Sequence, residues 1–84
     1  MTGGWSYQPY LTRYDSFIFY NAIGDQNDYF YTPVAVAKQI VNGTNYRFMC
    51  IAHPKYHNLT PHFAIVNIYK PIYGNPYVTS IEPI

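Results

Sequence analysis

Charged side chains are scarce in this sequence. Asp, Glu, Lys and Arg make up 11% of the 84 residues, whereas they form about a quarter of an average soluble domain. The five basic residues stand singly along the chain and the net charge is +1, so no basic stripe is present that would follow a phosphate backbone. The sequence therefore predicts that nucleic acid is not a partner.

Cysteine and long apolar runs are also lacking. The single cysteine, Cys50, cannot form an intramolecular disulfide, which excludes a small scaffold held together by disulfides. The best apolar run, "FIFYNAI", is short and is interrupted by Asn21. We therefore expect neither a signal peptide nor a membrane-spanning segment, and no membrane partner.

Tyrosine is abundant instead. The chain has 11 tyrosines, which raise its aromatic share to 20%. We expect tyrosine to cover much of the surface that Lys and Glu usually occupy. With 84 residues the chain is long enough for a single domain, residues 1–84, with one small core.

One segment near the N-terminus has the period of a helix, from about residue 11 to residue 23. The apolar side chains expected on its buried face are Tyr14, Phe17, Ile18 and Ala22. Thr12 with Asp15 three residues later resembles a capping box, and Gly24 suits the end of the helix. The nine residues before this segment, "MTGGWSYQP", have no periodicity and predict an extended or mobile arm, with Trp5 either in contact with a partner or covering the helix end.

Four runs rich in β-branched and aromatic residues follow the helix. They are "YFYTPVAVAKQIV", "NYRFMCIA", "HFAIVNIYK" and "YVTSIEPI", with turns expected at Asn42-Gly43, from His53 to Pro61 and from Tyr73 to Pro76. One helix followed by antiparallel strands predicts an α+β domain, with the helix packed across a curled four- to five-stranded antiparallel sheet.

Residues that could support catalysis or metal binding are few. Cys50 shares a strand face with Phe48 and is expected to be a buried, inert thiol. The three histidines, His53, His57 and His62, match no zinc spacing and are expected on a surface loop. The four carboxylates, Asp15, Asp25, Asp28 and Glu82, are scattered along the chain. We expect no enzyme activity, no metal and no cofactor.

The turn of the first predicted hairpin has an unusual set of side chains. Gln39, Val41 and Gly43 match the pattern QxVxG, and the run "QIVNGTNYRF" resembles the inhibitory hairpin of the cystatins, which inhibit papain-like cysteine proteases. Gly3 and Gly4 stand where that family has the glycine of its N-terminal arm. A short loop from Ile72 to Asn75 stands where the family has its second contact loop. The absence of disulfides makes the chain most similar to the stefin-like branch.

The resemblance implies a cytoplasmic, monomeric, reversible and competitive inhibitor of papain-like cysteine proteases. The residues that it assigns to protease binding are Gly3, Gly4, Gln39, Ile40, Val41, Asn42, Gly43, Ile72, Tyr73 and Gly74. Gln39 is expected to hydrogen-bond across the hairpin, Val41 to give a stiff apolar contact, and Gly43 to let the backbone approach the protease. A bulky residue at 43 is expected to weaken inhibition well over tenfold and to leave the fold mostly intact.

Two further expectations concern the same hairpin. If the tip from Val41 to Gly43 is strained, its opening lets two copies exchange their first strands and form a dimer without a tip. Asn42 also begins the glycosylation sequon Asn42-Gly-Thr, and a sugar there would block entry into a cleft.

The sequence departs from the family at the second loop, where Tyr73-Gly74 stands in place of Pro-Trp or Pro-Gly. Asn-Gly is also a common hairpin turn without any function. The alternative interpretation is therefore a non-inhibitory interaction domain on the same fold, which binds another ligand through its tyrosine-rich surface.

Overall fold

The structure is a computed structural model that describes residues 3–26, 28–56 and 60–84. Its elements are β1 (Ser6–Gln8), α1 (Arg13–Ile23), β2 (Tyr29–Val41), β3 (Gly43–Pro54), β4 (His62–Lys70) and β5 (Tyr77–Pro83). The five strands form one antiparallel sheet in the order β1-β2-β3-β4-β5, and α1 packs on one of its faces. The expected α+β class is confirmed, and the arrangement is consistent with a cystatin-like fold.

The helix begins and ends where the sequence predicts. Thr12 is the N-cap: its side chain accepts a hydrogen bond from the Asp15 backbone N–H, while the Asp15 carboxylate accepts one from the Thr12 N–H at 2.9 Å. These reciprocal bonds satisfy two backbone donors that the first turn of a helix leaves free. Gly24, with φ of 56°, ends the helix.

The predicted apolar face of α1 is confirmed for Ile18, which is buried, and for Ala22, which packs against the core, but it is wrong for Tyr14 and Phe17. The side chains that the helix buries are Asp15, Ile18, Phe19 and Ile23, whereas Tyr14 and Phe17 are more than half exposed. Aromatic residues lie on both sides of this helix, so its apolar period does not define which side faces the sheet. An ion pair made by Asp15 lies on the buried side.

Asp15 is fully buried and joins three elements. Its Oδ1 lies 2.7 Å from the Lys38 ammonium on β2, and its Oδ2 accepts a hydrogen bond of 2.7 Å from the Gln8 amide on β1. Burial by itself would raise the pKa of Asp15, but the Lys38 ammonium and the hydrogen bonds from Thr12 together hold that pKa below its usual value. The charged carboxylate therefore ties the helix to the edge of the sheet.

The core lies between α1 and the helix-facing side of the sheet. Its buried members are Ile18, Phe19, Ile23, Val36, Tyr46, Phe48, Cys50, Val66 and Ile68. The rings of Phe19 and Phe48 meet edge to face, with centroids 5.0 Å apart. Cys50 is buried beside Phe48, so the expected burial of its thiol is confirmed, and that burial raises the pKa of the thiol to about 12.

The N-terminal arm is more ordered than the sequence indicates. Three of its residues form β1, in which Ser6 pairs with Lys38 and Gln8 with Val36. Trp5 stacks on Arg47, whose guanidinium carbon is 4.1 Å from the centre of the ring, so Trp5 does not cover the helix end. A three-residue strand has too few residues to show a period, and only its pairing with β2 reveals it.

The histidine loop is shorter than predicted. His53 lies within β3 and His62 begins β4, so the expectation that they lie on a loop is wrong for both; His57 is outside the described residues. The described ranges contain no cluster of three or more side chains that could hold a metal ion. Across the same ranges, no helix has both the length and the apolar character needed to cross a membrane.

Candidate functional site

The β2–β3 hairpin closes over a single residue. Val41 pairs with Gly43, so Asn42 alone forms the apex, and its side chain is exposed. The Tyr69 hydroxyl of β4 donates a hydrogen bond to the Asn42 carbonyl oxygen. The predicted QxVxG segment therefore lies at a tight turn that a neighbouring strand supports.

Gly43 is required by both its conformation and its surroundings. Its φ is 101°, and a Cβ at this position would lie 2.6 Å from the Lys70 carbonyl oxygen and 2.7 Å from the Tyr69 hydroxyl. L-residues rarely adopt this φ, and the backbone of Lys70 is not free to move aside. The expectation that a bulky residue at 43 leaves the fold mostly intact is therefore wrong, because it would disturb the hairpin itself.

Gln39 joins the arm to the hairpin. Its side-chain amide donates a hydrogen bond of 3.3 Å to the Gly3 carbonyl, and its Oε1 accepts one of 3.0 Å from the side-chain amide of Asn45. The Gly3 N–H donates to the Ile40 carbonyl at 3.1 Å. The predicted bond across the hairpin is confirmed, since Gln39 on β2 lies directly opposite Asn45 on β3.

The backbone gives no sign of the strain expected at the tip. Within residues 3–26, 28–56 and 60–84, every positive φ belongs to a glycine. Val41 and Asn42 therefore adopt φ values that any residue accepts, and the left-handed conformation falls on Gly43, where it is inexpensive.

The second predicted loop lies at the same end of the molecule. Thr44 at the start of β3 pairs with Lys70 at the end of β4, so residues 71–76 leave the sheet beside the hairpin tip. Tyr73 is 93% exposed, and Gly74 has φ of 132° with only the Pro71 ring nearby. This loop lies where the resemblance predicts, but it makes fewer contacts with the rest of the protein than the tip does.

The structure thus brings the arm, the tip and the second loop to one end, which we call the tip edge. It comprises Gly3, residues 39–43 and residues 72–74. Gly3 and Gln39 touch directly, whereas Gly4 is exposed and has open space around it. Met1 and Thr2, expected to extend the arm, lie outside the described residues.

Several residues at this edge were not predicted from the sequence. Asn45 holds Gln39, Tyr69 holds the tip, and Tyr14 lines a groove next to Ile40 and Ile72. Asn45 was detectable, because a one-residue turn places residues 39 and 45 opposite each other. Tyr14 was assigned to the core from its period, so nothing local indicated its position.

The chemistry available at the tip edge is that of a docking surface. None of its residues is charged, and it offers exposed aliphatic and aromatic side chains with a closely supported backbone. Such groups bury apolar area and exchange backbone hydrogen bonds with a partner. No protein-family model matches the chain, and searches of the curated proteins and of the solved structures found no significant match.

Proposed function

We propose that this protein is a reversible, competitive inhibitor of papain-like cysteine proteases. The observation that supports the proposal is the contact between Gln39 and Gly3, together with Gly43 next to the apex of the same hairpin. The family resemblance selected Gly3 and the QxVxG segment, whose Gln39 is 36 residues further along the chain, and the two lie at one edge. A structural hairpin turn by itself would require Asn42 and Gly43 but not Gly3 and Gln39.

The inhibitor would act by filling the cleft with parts that are already in place. The arm is fastened by the Gly3–Ile40 and Gln39–Gly3 hydrogen bonds, and the tip by Tyr69. Because these parts lose little conformational entropy on docking, their contacts contribute more fully to affinity. The inhibitor binds without a covalent step, and substrate is excluded because it needs the same cleft.

The proposed location is the cytoplasm, with the monomer as the active form. Asn42 is exposed at the apex, and a glycan attached there would prevent the tip from entering a cleft. We therefore expect native protein to be unmodified at Asn42, which mass spectrometry of the intact protein checks. A sugar on Asn42 would count against the inhibitor.

A second candidate function is a non-inhibitory interaction domain. Exposed tyrosines outside the tip edge favour it, among them Tyr7, Tyr10 and Tyr56. Tyrosine is enriched in protein interfaces because it combines a large apolar ring with a polar hydroxyl. This function would use a different surface and would leave protease activity unchanged.

Titration of activated papain with the purified protein separates the two functions. We expect inhibition at sub-micromolar concentration, competitive with a small peptide substrate and reversible on dilution. A useful matched pair is Ile40→Asp at the tip edge and Phe63→Asp on β4, since both side chains are more than half exposed. Inhibition should fall only for the first variant. Full protease activity at high micromolar protein would overturn the proposal.

A further inference from the structure

Tyr14 is an exposed aromatic residue of the helix. It lies in the first turn of α1, outside the buried face, and 55% of its surface is exposed. Its ring lines a groove between the helix and the tip edge, whose other walls include Ile40 and Ile72. Both of those side chains are also more than half exposed.

This groove has one charged residue. Lys70 and Pro71 line it beside the tip, and the Lys70 ammonium donates a hydrogen bond of 2.7 Å to the Pro71 carbonyl. The ion pairs present in the described ranges belong to Lys38 and Lys55, so Lys70 has no carboxylate partner there. The groove therefore combines apolar walls with an ammonium group that an incoming carboxylate could neutralise.

We propose that this groove is a fourth protease contact, in which Tyr14 packs against an apolar side chain on the rim of the cleft and Lys70 meets a carboxylate beside that side chain. The proposal rests on the proposed function and extends it. The groove shares Ile40, Val41 and Gly43 with the tip and Ile72 with the second loop, so a protease that holds the tip edge also faces the groove. Tyrosine is enriched among the residues that dominate binding energy in protein interfaces.

Another groove of similar size lies too far away to serve this role. It is lined by Tyr20, Ile23 and Tyr29 near the C-terminal end of α1, at the start of β2. Its last lining residue on β2, Thr32, is nine residues from Val41, which is about 30 Å along a strand. Tyr20 lies six residues, about 9 Å, along the helix from Tyr14 and lines this second groove but not the first, so it provides a control position on the same helix.

The test compares Tyr14→Ala with Tyr20→Ala. The two tyrosines have similar exposure, 55% and 57%, and lie on the same helix. We expect Tyr14→Ala to raise the dissociation rate from papain at least about fivefold, and Tyr20→Ala to change it by less than about twofold. Lys70→Met is an independent variant that should weaken binding most for proteases with an acidic rim, and should reduce the salt dependence of binding.

The outcomes separate this proposal from the function on which it rests. Inhibition by the wild-type protein with equal dissociation rates for both tyrosine variants overturns the groove contact and leaves the inhibitor intact. Absence of inhibition by the wild-type protein overturns both. Far-UV circular dichroism and a thermal melt of each variant establish that it is folded. If Tyr14→Ala does not fold, the comparison of Lys70→Met with the wild-type protein tests the groove contact instead.

Discussion

The two loops of the tip edge are built differently. At the first hairpin, Tyr69 holds the apex, Gln39 holds the arm, and Gly43 has no space for a side chain. In the second loop, Tyr73 is almost wholly exposed and Gly74 has mostly open surroundings. Contacts within the fold therefore fix the conformation of the first loop. The second loop has few such contacts, so only a bound partner would restrict it to the same degree. This difference predicts that substitutions are tolerated better in the second loop than in the first.

The largest expected difference between the two loops would come from a dimer formed by exchange of the first strand. Such a dimer turns the β2–β3 hairpin into one continuous extended segment, which removes the first loop and leaves residues 71–76 in place. The backbone of the tip shows no strain that would drive this exchange, so it requires at least partial unfolding. We expect any dimer recovered after mild denaturation and refolding to have unchanged far-UV circular dichroism and at least about a hundredfold weaker inhibition. Size-exclusion fractions assayed against papain provide the measurement. A dimer as potent as the monomer would show that the tip is not the inhibitory element.

Substitution of the two glycines tests the same difference through stability. Gly43→Ala meets both a positive φ and a backbone atom at 2.6 Å, so we expect it to lower the free energy of unfolding by about 3 kcal/mol. Gly74→Ala meets a positive φ but no close backbone atom, and should cost about 1 kcal/mol. Urea denaturation measures both. Equal losses would mean that the tip is no more constrained than the second loop.

Substitutions of Gln39 in the first hairpin and Tyr73 in the second loop compare how much each loop contributes to protease binding. Gln39→Ala removes the hydrogen bonds to Gly3 and Asn45, which should free the arm and weaken inhibition about tenfold. Tyr73→Ala removes only an exposed ring, so we expect about threefold weaker inhibition and unchanged stability. Inhibition constants for both variants are measured on the same protease. A larger effect of Tyr73 would move the main contact to the second loop.

The arm is also held at its C-terminal end, where Gln8 donates a hydrogen bond to the Asp15 carboxylate. The dependence of stability on pH tests the contribution of this carboxylate. Because the folded state holds the pKa of Asp15 below its ordinary value near 3.8, the stability from this carboxylate is present above pH 4 and is lost as the pH falls through the lowered pKa. Asp15→Asn should flatten this acid-induced loss of stability, since its side chain does not titrate. Asp25→Asn is the matched control, because the Asp25 carboxylate is 90% exposed in its pair with Lys55. An unchanged acid profile in Asp15→Asn would assign the titration to another group.

Local physical chemistry made much of the fold predictable. The predicted strand "YFYTPVAVAKQIV" coincides with β2, and "HFAIVNIYK" coincides with β4, because each run is long and is bounded by turn residues. The capping box of Thr12 and Asp15 and the end at Gly24 were also correct, since a helix terminus depends on residues a few positions apart. The strand β1 was missed because its three residues gain their structure from pairing.

Sequence by itself determined the four long extended segments, where the helix begins and ends, and that a glycine stands at the hairpin turn. Only the tertiary structure decided which side of α1 is buried, because its aromatic residues lie on both sides and the Asp15–Lys38 ion pair marks the inner one. It also decided that Gln39 bonds to Gly3, 36 residues away, and that Tyr14 lies beside Ile40 and Ile72. Contacts between distant residues depend on how whole elements pack, and the period of one element does not contain that information.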